Sequence, residues 1–169
     1  MSNVSITIND KAVTDALSRL SAAGGNMGRA MADIGDMMVS RITEGFDQGE
    51  SPYGEKWKPL ADDTKHGRLR HNKSNFRKNG KLSAKGRRES ASGFQPLVDT
   101  GNLRNSITRN VSGNSVEVGT DLIYGATHQF GSENGDIPAR PFLPTDGLPD
   151  AWAQEAVDSI GEQIMKAVK

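Results

Sequence analysis

At 169 residues without a cysteine, the chain is sized for one domain and excludes a disulfide framework and thiolate chemistry. Apolar residues make up 34% and aromatics 5%, with nineteen glycines, so a modest core with long exposed segments is expected. Lys plus Arg and Asp plus Glu balance at 21 each, but twelve basic against three acidic residues between Lys56 and Ser90 give that window +9 and leave −9 elsewhere, a basic arm on an acidic body.

Val4, Ile6 and Ile8 alternate with polar residues and predict a short strand. Asn9 or Asp10 is placed to cap a helix carrying Ala12, Val13, Ala16, Leu17 and Leu20, ended by the Gly24-Gly25 pair. Asn26 is placed to cap a second helix, whose Met27, Met31, Ile34, Met38 and Ile42 form a stripe suited to core packing. Gly45 is placed to close it. From Asp47 to Leu60 the glycines and prolines predict a loop, with the Trp57 ring pinned into the core. The basic window has few apolar residues and no helical period, so it is expected to be mobile in isolation.

After Leu97 the period becomes two. Asn105 to Val111 and Ser115 to Thr120 flank Ser112-Gly113-Asn114 as a hairpin, and Asp121 to His128 is expected to add a third strand. A loop with Pro138, Pro141 and Pro144 follows. A closing helix from about Leu148 or Asp150 carries Trp152, Ala156, Ile160 and Ile164 at four-residue intervals. The expected fold is α+β: a small antiparallel sheet with helices packed on one face, plus a long basic arm. Within the single domain the segments are 1–55 (strand and two helices), 56–93 (basic arm), 94–147 (β-rich with defined loops) and 148–169 (closing helix).

No apolar run approaches the roughly 20 residues of a membrane span, and the N-terminus has no basic-then-apolar export pattern, so a soluble, unexported protein without membrane partners is expected. His66, His71 and His128 are the three histidines, and the spacing of five between the first two suits no common ligand pair. Ser106 has neither a nucleophile-elbow context nor an identifiable base. No catalytic residue, metal or cofactor is therefore expected.

The densest patterning lies in LVDTGNLRNSI (97–107) and VEVGTDLIYGATHQFGSENGDIPARPFLP (116–144), joined upstream by SPYGEKWKPLADDT (51–64). These segments resemble the virion morphogenesis (tail completion) family of tailed phages, typified by Mu-like phages. There, TG-x-L-x-x-SI, VG-T-x-x-x-YA-x-x-HQFG and IPARPFLP segments follow in this order. The resemblance covers most of the chain from about Phe46 onward. One departure is Gly125, where the family usually has Ala.

The resemblance implies a structural, non-enzymatic protein of the virion head–tail junction, assembled in the host cytoplasm. It would act in tail completion as a tail terminator or neck component. A homo-oligomeric ring, a hexamer favoured, would contact tail-tube or head–neck proteins.

Contact is expected of Arg140, Pro141, Phe142 and Leu143. Prolines hold this segment extended, Arg140 offers a fork, and Phe142 and Leu143 offer apolar anchors. The alternative is that the two apolar side chains enter their own core and Arg140 pairs within the subunit. Tyr124, His128, Gln129 and Phe130 would shape the supporting turn. In the arm, Lys73, Arg77, Lys78, Lys81, Lys85, Arg87 and Arg88 are candidates for neighbour or DNA contact, with a solvated linker as the bland reading. A nucleic-acid-binding module built on this arm is the rival function. Phe76 and Phe94 are its only aromatics up to Leu97, a poor platform for base stacking.

Overall fold

Asp10 opens helix α1 (Lys11–Ala22) in the computed structural model, which describes residues 4–5, 10–23, 26–113 and 115–167. Its carboxylate accepts from the Ala12 and Val13 N–H groups, filling two of the donors a helix start leaves open. Asn26 does the same for α2 (Met27–Gln48) through the Arg29 N–H at 2.9 Å. This helix runs one turn past Gly45, the expected stop, and ends at Gly49, whose left-handed φ of 69° suits glycine.

Strands β2 (Thr108–Ser112) and β3 (Ser115–Thr120) pair antiparallel from Ser112↔Ser115 to Thr108↔Gly119. The short β1 (Val4–Ser5) lies on the other side of β3, Val4 opposite Thr120, giving the order β1-β3-β2. Ile6, Ile8, Asn9, the Gly24-Gly25 pair and Asn114, named in the sequence reading, lie outside the described residues. Helix α2 crosses close to the hairpin because Gly35 carries no side chain. A Cβ there would meet the Arg109 Cδ at 2.5 Å and the Val116 Cγ2 at 2.8 Å.

Helices α1, α2 and α7 (Asp150–Ala167) bury Ala16, Leu20, Ala30, Met31, Ile34, Ala156 and Ile160 against one another, so the Met stripe of α2 is core. A second cluster joins Ile42, Phe46, Trp57, Ile107, Val118, Phe142 and Trp152. Each such fully buried large side chain contributes about 1.5–3 kcal/mol. The fold is the expected α+β, with helices on one face of a small antiparallel sheet.

Two expectations fail. The third strand is instead a turn and helix α6 (Gly125–Phe130). The Thr120 hydroxyl accepts the Leu122 N–H at 3.2 Å, and the Gly125 N–H reaches the Leu122 carbonyl at 2.8 Å, so local bonds turn the chain away from the sheet.

The basic window, read as lacking helical period, folds into α3 (Asp62–His71), a 3-10 turn at Lys73–Asn75 and α4 (Ala84–Ser92). Helix α3 has Asp62 and Asp63 in its first turn and Arg68, Arg70 and His71 in its last, the charge polarity that a helix dipole favours. Ser83 caps α4 by accepting from the Gly86 N–H. The junction is held by Asn75, fully buried, whose amide donates to the Leu69 carbonyl at 3.1 Å and whose own carbonyl accepts from the Ser83 N–H at 2.8 Å. Gly86 packs so closely that a Cβ would collide with that carbonyl. Among the described residues neither apolar cluster takes a member from 58–96. Hydrogen bonds and Leu69 hold this lobe together in place of a core.

Candidate functional site

The segments singled out in the sequence meet around one cleft of about 580 Å³. Its walls come from Lys58–Ala61, from α3, from Asp99–Leu103 leading into α5 (Asn102–Asn105), and from Tyr124, His128 and the loop 135–140. Gly101 makes the turn into α5 with a φ of 80°.

Gln129 explains how an irregular segment can be interior. Its amide donates to the Leu143 carbonyl at 2.9 Å, and its oxygen accepts from the Phe142 and Leu143 N–H groups at 2.9 and 3.0 Å. One side chain thus replaces the partners a sheet would supply. The Trp57 indole donates to the Pro141 carbonyl at 2.8 Å, and its ring meets Phe46 edge-on at 5.4 Å. The Arg140 guanidinium donates to the carbonyls of Lys58 and Pro59 at 2.8 and 3.0 Å, and the Arg140 N–H to the His128 carbonyl. Loop 57–59, α6 and residues 140–143 are therefore bonded to each other.

This corrects the expectation of Arg140, Phe142 and Leu143 as partner contacts. Phe142 and Leu143 are each 1% exposed, and the Arg140 fork is committed to backbone carbonyls within the subunit. Pro141 is half-buried beneath Trp57. The supporting-turn residues divide: Gln129 is buried, Tyr124 and Phe130 are exposed, and His128 is half-buried with its ring edge-on to Tyr124 at 5.9 Å.

Burial and the neighbouring positive Arg140 push the His128 imidazole below its usual range, and its shielded Nδ1 has no hydrogen-bond partner. Arg140 is itself pushed down by burial and by the charge of Arg68, which bonds the Gln95 and Val98 carbonyls. The neutral form of His128 is thus favoured beside Arg140, and its half-buried ring forms part of the cleft wall. The Ser106 hydroxyl donates to the Leu103 carbonyl at 2.8 Å and sits 2.6 Å from the Thr120 hydroxyl. Among the described residues no cluster of three or more His, Asp or Glu is arranged for a metal ion.

Gly125 is buried under the same turn. An added Cβ would lie 2.7 Å from the Thr120 Cγ2, and Thr120 is tied at its hydroxyl, so the glycine here answers to a specific close neighbour.

The arm candidates Lys73, Arg77, Lys78, Lys81, Lys85, Arg87 and Arg88 are all exposed on the lobe. Sequence reasoning missed Ile123 and Ile137. With Tyr124 and Phe130 they make four of the six large apolar side chains exposed among the described residues, all within one short stretch. A concentration of this kind is apolar surface left open to solvent. The available signal was an apolar Ile123 and Phe130 seven positions apart, masked by reading this stretch as a strand.

The family model for the phage virion morphogenesis family matches residues 8–95 and 82–169. A relative described as "Mu-like prophage FluMu G protein 2", from Haemophilus influenzae, is 33% identical over 169 residues, covering 96% of this chain and 99% of that protein. No solved structure matches. With the matched segments spanning nearly the whole chain and their motifs forming one bonded scaffold, the chain belongs to the phage virion morphogenesis family.

Proposed function

We propose that this structural protein of virion assembly completes the phage tail at the head–tail junction, as a tail terminator or neck subunit in a closed ring. Six subunits, matching tail symmetry, is the favoured count. The observation that carries the reading is the pairing of a rigid motif scaffold with an exposed apolar face at residues 123–137, an arrangement suited to permanent protein contact. The mechanism is surface complementarity: the ring caps the finished tail tube and offers the filled head a matching end. A phage lacking this gene, complemented in trans, tests it. Without the protein, electron micrographs should show full heads and unjoined tails, and complementation should restore joined particles with the tagged protein at the junction. Joined particles in its absence would sink the reading.

A second reading is favoured by one observation, the seven exposed cations on an ordered lobe: contact with phage DNA. Binding of duplex DNA that weakens steeply with salt, and that charge reversal at Lys78 and Lys81 abolishes, would support it.

A further inference from the structure

We infer that the exposed apolar face centred on Ile123 and Phe130 receives the basic lobe of a second copy of this chain. The inference rests on the ring reading above and names the contact that would build the ring. Ile123 and Phe130 are 75% and 64% exposed, the first in the turn that leads into α6 and the second at that helix's last residue. Ile137 extends the face, because the Ser132 N–H bonds its carbonyl at 2.9 Å and folds the loop back toward the end of α6. Asp121, Glu133 and Asp136 flank these residues, all exposed, and none is ion-paired among the described residues. From 121 to 150 the single Lys or Arg is Arg140, whose guanidinium is buried on backbone carbonyls. The face is thus apolar at its centre and negative at its rim.

The matching surface is present on the same chain. The lobe 62–92 presents exposed cations on the turn 73–81 and on α4, gives no member to either apolar cluster, and carries ten basic against three acidic residues, +7 against −7 for the rest. A partner bearing the opposite charge is therefore built into every copy. Lobe and face are different patches, so the contact is head-to-tail, the class that closes into a ring when its rotation permits. Charge steers the approach, and the apolar centre supplies the desolvated contact.

The test uses the full-length protein, with mass measured by sedimentation and photometry from low to high salt. Wild type is expected to form closed oligomers that weaken as salt rises. Phe130→Asp, with Ile123→Asp as a second variant, should keep the wild-type melting temperature and weaken self-association by about tenfold or more. Lys78→Glu combined with Lys81→Glu should do the same. The decisive arm mixes the face-defective and lobe-defective proteins. Each retains one intact patch, so the mixture should stop at dimers. Full-size rings from the mixture, or either variant assembling like wild type, would overturn the inference. Wild type that stays monomeric at every salt yet joins tails to heads would overturn the second-copy occupant while leaving the tail reading intact. Rings that form by this contact but never support head joining would instead refute the tail reading.

Discussion

Residues 137–144 and the lobe 62–92 invert the usual link between regular structure and burial. The first has neither helix nor strand, yet Arg140, Phe142, Leu143 and Pro144 are interior. The second is mostly helical, yet Leu69, Asn75 and Gly86 are its buried residues. The irregular segment can be buried because Gln129, Trp57 and the Arg140 N–H satisfy its backbone groups one by one. The lobe forms helices because caps, dipole-matched charges and Asn75 hold them locally, without a stripe to bury. Secondary structure here reports how backbone polar groups are met, and says little about where the apolar surface goes.

The comparison breaks most visibly at Phe142. Its ring packs on Phe46 at 5.4 Å between centroids in the cluster that also holds Trp57 and Trp152. Phe142→Ala should lose about 3–5 kcal/mol, read by urea unfolding. A loss below about 1 kcal/mol would mean that this irregular segment is peripheral after all.

Arg140→Ala comes next. It removes two charge-assisted bonds and leaves the Lys58 and Pro59 carbonyls short of a partner, a loss of about 1.5–3 kcal/mol. The melting temperature should fall before any assembly defect can be assigned. Full stability with failed assembly would restore Arg140 as a contact residue and refute its role as an internal staple.

Asn75→Ala tests the lobe, and its effect should stay local. Losing the bond to Leu69 should open the turn between α3 and α4, so trypsin cuts at Arg77, Lys78 and Lys81 sooner. The global unfolding midpoint should hardly move, because neither apolar cluster draws on the lobe. Equal shifts in protection and global midpoint would show that lobe and body unfold together.

Much of this was legible where one face of an element is apolar. Strand β3, the caps Asp10 and Asn26, the buried ring of Trp57 and the four-residue rhythm of α7 were all readable, because burial writes a period into the chain. The lobe helices were not, since they bury no stripe; only the Asp62-Asp63 start, the basic end of α3 and the Ser83 cap mark them. Gly49 outcompeted Gly45 as a stop because only the former takes the left-handed conformation, which composition does not reveal. Arg140 between prolines looks the same in sequence whether its fork meets a neighbour or the carbonyls of a distant loop. Those carbonyls lie 81 and 82 residues away along the chain, beyond any local pattern.

The smallest effect concerns pH and sharpens the comparison at the seam between the buried segment and the cleft. Burial and then Arg140 hold His128 below its ordinary value of 6.5, so the folded state favours the neutral ring. Below about pH 6.5 the unfolded chain takes up this proton first. Stability should therefore decline as pH falls from about 6.5 toward the lowered folded value, and level off once both states are protonated. Above about 6.5 the group contributes no pH dependence. Asp36 and Asp47, held low by hydrogen bonds from Arg109 and Arg104, contribute stability that is lost only below about pH 4, which separates the two windows. Melting curves from pH 7.5 to 5 should thus slope more steeply for wild type than for His128→Asn, which keeps a polar side chain without the titration. Parallel curves would mean that the imidazole is as well solvated in the folded chain as in the unfolded one, and that the cleft wall behind Arg140 is open to water.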